Sequence, residues 1–221
     1  MAKDLDEVEV ARVRHLLASK HNYVIGCDEV GMGAWAGPVF VAATLFDTRW
    51  ADPKVKDSKK YNGKKAHANR VLAMERLIKP KALHVAIACM SSRKLDEVGI
   101  DDAWMILMRR VIQECQWVKP DAVVIVDGAS NRGLPGHTQA MPGADAYIPA
   151  VSAASVCAKA TRDAVMRRVS VLYPHYGFES HVGYGTKEHE DAINAVGLCP
   201  LHRRSYSPIS NYLRYGRTRL R

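Results

Sequence analysis

The run Ala-Val-Val-Ile-Val at 122–126 contains no polar side chain and ends at Asp127-Gly128. A segment this short and this apolar reads as a central strand, so other elements must cover it. Strand and helix signals alternate around it. Residues 5–20 read as a helix with Val8, Val10, Val13, Leu16 and Leu17 roughly on one face, and 23–28 and 38–46 read as strands. A polar, lysine-rich loop over 52–65 leads into a helix at about 64–78, followed by a strand at 83–89 and a helix at 102–118. The Gly-, Pro-, Asn- and Ser-rich stretch 128–143 reads as loop. A helix then runs from about 151 to 171, where Tyr173-Pro174 stops it, and Thr186 caps a last helix through Val196. This order implies one α/β domain, a central mixed β-sheet flanked by α-helices. The domain is expected over 1–205, the end beyond Leu201 as an appendage, and 206–221 as a basic C-terminal tail.

With 221 residues, 48% hydrophobic and 25% charged, the chain has the composition of a globular protein with a proper core. No apolar stretch approaches the roughly 20 residues of a membrane span. Met1-Ala2-Lys3-Asp4 begins no secretory signal, so the expected location is the cytoplasm. Five scattered cysteines, with no Cys-x-x-Cys pair, read as reduced packing residues. A thiolate at Cys27 would be disfavoured by the neighbouring acids. The formal charge of +9 includes six arginines and no acid in the last 21 residues, with Tyr206, Tyr212 and Tyr215 among them. That balance suits a polyanion, or equally a solubilising tail.

Asp28 and Glu29 stand at the mouth of the first strand and open onto Gly31-Met32-Gly33 and Gly37-Pro38. Adjacent buried carboxylates need a cation or strong donors, and glycines let backbone N–H groups approach a phosphodiester. Asp127 emerges at the carboxyl end of the central strand, where open α/β sheets place ligands. Asp145, in Gly143-Ala144-Asp145, can fold back over the same edge. Four carboxylates without a His or Cys ligand set match hard cations, Mg²⁺ or Mn²⁺. Two such ions roughly 4 Å apart serve phosphodiester displacement. One geometric difficulty is that consecutive strand residues face opposite sides, which separates Asp28 from Glu29 unless the strand twists or ends there. Asp163, mid-helix beside arginines, reads as an ion-pair residue.

At these residues the chain resembles the type 2 ribonucleases H, ribonuclease HII in particular, from about Tyr23 to Pro208. Gly-Cys-Asp-Glu-Val-Gly-Met-Gly-Ala-Trp-Ala-Gly-Pro-Val is similar to the family's G-x-D-E-x-G-R-G-x-x-x-G-P-V, and Asp57-Ser58-Lys59-Lys60 to its D-S-K-K. Val126-Asp127-Gly128, the run from Ser152 through Lys159 to Asp163, Tyr176-Gly-Phe, His181-Val-Gly-Tyr184-Gly-Thr and His202-Arg-Arg-Ser205 follow in order. The resemblance implies a ribonuclease H-like fold. It also implies an endonuclease that cuts the RNA strand of RNA/DNA hybrids, or 5′ to a ribonucleotide embedded in duplex DNA, leaving 3′-hydroxyl and 5′-phosphate ends. It assigns metal binding and catalysis to Asp28, Glu29, Asp127 and Asp145, with Asp28 bridging two ions and Asp145 on the ion that activates water. Gly31, Met32 and Gly33 would read the ribose 2′-hydroxyl through backbone groups, and Tyr184 would pack on the adjoining deoxyribose.

Ser58, Lys59, Lys159 and Arg162 are candidate phosphate contacts. For the last two a solvated helix face is the alternative. His181 and His202 read as structural or phosphate-contacting, and the chain is expected to act as a monomer. Two departures stand out: Met32 replaces the arginine of Gly-Arg-Gly, and Gly143 the lysine of Lys-Gly-Asp. Ribonuclease HIII also lacks that arginine but carries an extra amino-terminal domain for which this chain has no room. Other readings are a nuclease of the same fold acting on DNA, and a non-catalytic hybrid-binding protein.

Overall fold

The computed structural model describes residues 7–218 apart from 57, 64, 129, 132 and 135–137, so Asp57 of the D-S-K-K match and the arginines at 219 and 221 lie outside the described residues. Its centre is a five-stranded sheet in the order β3-β2-β1-β4-β5, formed by β1 (Tyr23–Val30), β2 (Val39–Asp47), β3 (His84–Met90), β4 (Val123–Asp127) and β5 (Thr138–Met141). β2 runs antiparallel to both β1 and β3, while β1, β4 and β5 are parallel. The mixed α/β sheet expected from the sequence is therefore present. β5 is a correction, since it lies inside the stretch read as loop. Its four residues pair along only one edge, with β4, and too few apolar side chains mark it.

Side-chain alternation sorts the two faces. Val24, Val123 and Ile125 pack beneath α5 (Pro149–Leu172), whereas Ile25, Cys27, Val124 and Val126 pack against α4 (Ile100–Val118). Helix α5 comes so close to β1 that a Cβ on Gly26 would lie 2.3 Å from the Ala150 and Val151 backbone. Its alanines, buried from Ala150 to Ala160, permit that approach. Pro at the first helical position fits the fixed φ of a helix start.

Helix α1 (Glu7–Lys20) lays Val10, Val13 and Leu17 on the α5 side of the core. Val8, placed on that face from its spacing, is 78% exposed, and the Leu16 side chain lies outside the described residues. Helix α2 (Ala66–Ala73) continues as a π-helical turn, Met74–Ile78, and a short α3 (Ser92–Val98) capped by Ser91 precedes α4. After α5 come α6 (Phe178–His181), α7 (Lys187–Val196, capped by Thr186) and α8 (Ser207–Tyr215). The segment beyond Leu201 is no appendage. His202, Arg203 and Ile209 are buried, and Ile209 joins Trp35, Phe178 and Ile193 in a third apolar cluster. Among the described residues, no helix is long and apolar enough to cross a membrane.

Candidate active site

The register of β1 on β4 runs to Cys27 opposite Val126, so Asp28 and Asp127 are the next residues on adjacent parallel strands. Such strands lie about 4.8 Å apart, and both residues face α5. Burial and the nearby Glu29 and Asp127 push the Asp28 carboxyl well above the ordinary range, while hydrogen bonds from Ser155 and its neighbour's backbone N–H pull the other way. Asp127 is also raised, by burial first and then by Asp145, although it accepts the Ala144 N–H at 2.9 Å.

Glu29 faces the opposite side of the strand, as alternation requires. Its Oε2 accepts the Trp104 Nε1–H of α4 at 3.1 Å. Strand β1 runs on to Val30 along β2, but its pairing with β4 stops at Cys27, and Asp28, Glu29 and Asp127 all line one cleft of about 400 Å³ at that open carboxyl edge of the sheet. Asp145 lies in a 3-10 turn (Ala144–Ala146) entered through Gly143 at φ 73°. It is 3% exposed, and the Lys59 ammonium of the opposite loop caps it at 2.8 Å.

Gly31, Met32, Gly33, Ser58, Lys59, Lys159 and Tyr184 line the same cleft. Ser155, one helical turn before Lys159, also lines it and lies 2.9 Å from the Ser58 hydroxyl. The spacing of Ser155 from Lys159 was the available signal. Lys159 pairs with Asp163 at 2.8 Å, and Asp163 also pairs with Arg70 at 2.8 Å, in keeping with its expected ion-pair role. Arg162 is the correction in this group: it has no exposed surface and is not in the cleft. Its guanidinium donates to the carbonyls of Pro38 (2.9 Å), Val182 (2.9 Å) and Ala36 (3.3 Å), so it fastens two loops together rather than facing solvent. Burial lowers its pKa to about 10, still a cation at neutral pH.

His181 and His202 are also away from the cleft. The Gly183 N–H donates to His181 Nδ1 and the Cys199 N–H to His202 Nδ1, which leaves His202 Nε2–H to donate to His189 Nε2 at 3.1 Å. His189 Nδ1–H in turn faces the Tyr184 carbonyl at 3.0 Å. His189 and His202 form a neutral, structural pair, with the His181 ring stacked on His189 at 4.5 Å between centroids.

The donor set fits hard divalent cations. Asp28, Glu29 and Asp127 offer only carboxylate oxygen, and the burial and mutual repulsion that raise Asp28 and Asp127 call for positive charge. Among the described residues, no three His, Cys, Asp or Glu side chains are already converged for an ion. Glu29 is turned to Trp104 and Asp145 to Lys59.

Acids on the ends of adjacent central strands of a mixed sheet, three strands antiparallel and three parallel with β1 shared, define the ribonuclease H-like class. Solved structures share the fold. Ribonuclease H2 from Pyrococcus horikoshii aligns with TM-score 0.65 and 22% identity, covering 86% of this chain and 96% of that one. Bst ribonuclease HIII in complex with Mn²⁺ aligns with TM-score 0.66 and 19% identity, covering 92% and 74%. The ribonuclease HII family model matches residues 25–209, and the ribonuclease HII of Dichelobacter nodosus is 40% identical over 191 residues, 86% of this chain and 97% of its own. The chain belongs to the ribonuclease HII family.

Proposed function

We propose that this chain is an endonuclease that cuts the RNA strand of RNA/DNA hybrids and cuts 5′ to ribonucleotides in duplex DNA. The observation that carries this reading is the juxtaposition, in one cleft, of Asp28 and Asp127 on adjacent strand ends with the Gly31-Met32-Gly33 backbone. Asp28, Glu29, Asp127 and Asp145 would hold divalent cations, Mg²⁺ or Mn²⁺. When bound, such ions offset charge on the phosphodiester and ease deprotonation of the attacking water.

The chain's own residues supply the rest. Lys59, its ammonium mostly exposed, leaves Asp145 and meets a phosphate, as does Lys159 from the cleft wall. The Gly31–Gly33 backbone reads the 2′-hydroxyl, the group that separates RNA from DNA. Tyr184, its ring beside the Arg162 guanidinium at 5.3 Å, is held flat for packing against a sugar. Cleavage leaves 3′-hydroxyl and 5′-phosphate ends.

The test maps cleavage on three matched duplexes, one all-DNA, one with a single ribonucleotide and one continuous RNA/DNA hybrid, in Mg²⁺, in Mn²⁺ and in chelator. Divalent-dependent cuts only where ribose is present are expected. Equal cutting of the all-DNA duplex, or hybrid binding with no cleavage in either metal, overturns the reading.

A further inference from the structure

The loop between β1 and β2 has one long internal backbone hydrogen bond, from the Ala34 N–H to the Gly31 carbonyl at 3.3 Å, and is otherwise held from outside. Arg203, with no exposed surface, donates through Nε and Nη2 to the Gly37 carbonyl (2.9 and 2.8 Å) and through Nη1 to the Met32 carbonyl (3.0 Å). The Tyr206 hydroxyl donates to the same Met32 carbonyl at 2.6 Å and accepts from Arg203 Nη1 at 2.9 Å. The guanidinium also lies over the Tyr206 ring, 4.9 Å from its centroid.

The segment carrying this pair is itself anchored. The Arg203 N–H reaches the Trp35 carbonyl at 2.9 Å, and Asp96 of α3 accepts the N–H groups of Arg204 and Ser205 at 2.8 and 2.9 Å. A peptide unit is planar and trans, so its C=O and the next N–H point opposite ways. Holding the Met32 carbonyl against Arg203 and Tyr206 therefore turns the Gly33 N–H away from them. Gly33 is exposed and lines the cleft, where a Cβ would meet nothing within 4 Å.

We propose that Tyr206, acting with Arg203, is a specificity-determining positioning residue that clamps the Met32 carbonyl and so aims the Gly33 N–H at the substrate ribose. The proposal rests on the reading of this loop as the 2′-hydroxyl reader. Arg203 is the buried anchor of the clamp, and Tyr206 completes it with a single hydroxyl at the helix α8 entrance.

The test is Tyr206→Phe, which removes that hydroxyl and keeps the ring under Arg203. Binding in chelator is measured for a duplex with one ribonucleotide and for its all-DNA twin, together with kcat and KM in Mn²⁺, Tm, and amide exchange of peptides spanning 30–37. One lost hydrogen bond corresponds to roughly a 3- to 10-fold effect. The expected result is a loss of that size in the ribose-over-deoxyribose binding ratio, with all-DNA binding unchanged. KM should rise while kcat changes less than about twofold, and exchange over 30–37 should accelerate, at a Tm within a few degrees of wild type.

A merely structural role would weaken both duplexes equally. Equal weakening, or an unchanged ratio with unchanged exchange, overturns the proposal. If wild type itself shows no ribose preference, the functional reading of the loop fails. Exchange alone then decides the clamp, for which acceleration is support and no change is refutation.

Discussion

Lys59 holds Asp145 with an ammonium at 2.8 Å, and on the proposed function Asp145 is one of the carboxylates that would hold a cation. That positive charge competes with a metal ion, so Lys59→Met should tighten Mn²⁺ binding to the substrate-free protein by roughly 3- to 10-fold, an effect the size of one partly screened ion pair. Titration calorimetry reads it, and unchanged affinity would show that the pair opens freely. The same variant should bind hybrid more weakly, with the salt dependence reduced by about one phosphate contact.

Asp28 makes the complementary case. A carboxyl whose folded pKa is raised above its unfolded value costs stability at every pH above that unfolded value, in full once pH exceeds the folded pKa. In chelator at neutral pH, Asp28→Asn should therefore melt higher than wild type, by about 2–4 °C for each kcal/mol of repulsion and burial relieved. Added Mn²⁺ should raise the wild-type Tm and leave the variant nearly unmoved. A variant that melts lower in chelator contradicts this account of the carboxylate cluster.

Among the elements, α7 and the segment after it carry the titration most exposed to acid. Burial lowers His189 to about 3 and His202 to about 4, in a cluster with His181, Phe178, Tyr176 and Cys199. Both are neutral in the folded chain and take up protons on unfolding near the ordinary histidine value of about 6.5. The unfolded state thus binds more protons between those values, and stability rises with pH there. Lowering pH from about 6.5 to 5 should remove about 2 kcal/mol per histidine. Denaturant melts across that window check it: His189→Gln should lose less than wild type does, and parallel curves would count against His189 and His202 as a neutral pair.

The elements also show what the residues made legible. The apolar runs before Asp28 and Asp127 announced both strands and the edge at which the acids emerge, because strand ends place side chains regardless of distant packing. β5 and the burial of Arg162 were not legible. Four residues of an edge strand carry little apolar signal, and an arginine on a helix looks alike whether it meets solvent or three loop carbonyls. The loop turn that carries Asp145 was legible as a place for an acid near the sheet edge, but its partner Lys59 comes from 86 residues away and has no local mark.

At the scale of the whole molecule, the formal charge of +9 is split between groups that hold the fold and groups that meet solvent. Arg70, Arg162 and Arg203 are buried and committed to Asp163 or to loop carbonyls. They add nothing to a phosphate-binding surface, whereas Lys59 and Lys159 stand in the cleft. The carboxyl-terminal stretch is divided in the same way. Tyr206 and Ile209 are packed in, and Thr218 donates to Glu190 at 2.5 Å.

Two truncations separate the halves. Removing 206–221 takes away the Ile209 side chain and the Tyr206 hydroxyl, and should cost about 3 kcal/mol or more, a fall of about 6–12 °C in Tm. Removing only 219–221 takes two arginines. The slope of log binding against log salt for an RNA/DNA hybrid then decides their use. A slope shallower by one to two means that they reach phosphates, and an identical slope means that they serve solubility alone. The packing argument fails if the longer truncation melts like the intact chain, because burial of Ile209 and the clamp on Met32 both require that piece to be part of the domain.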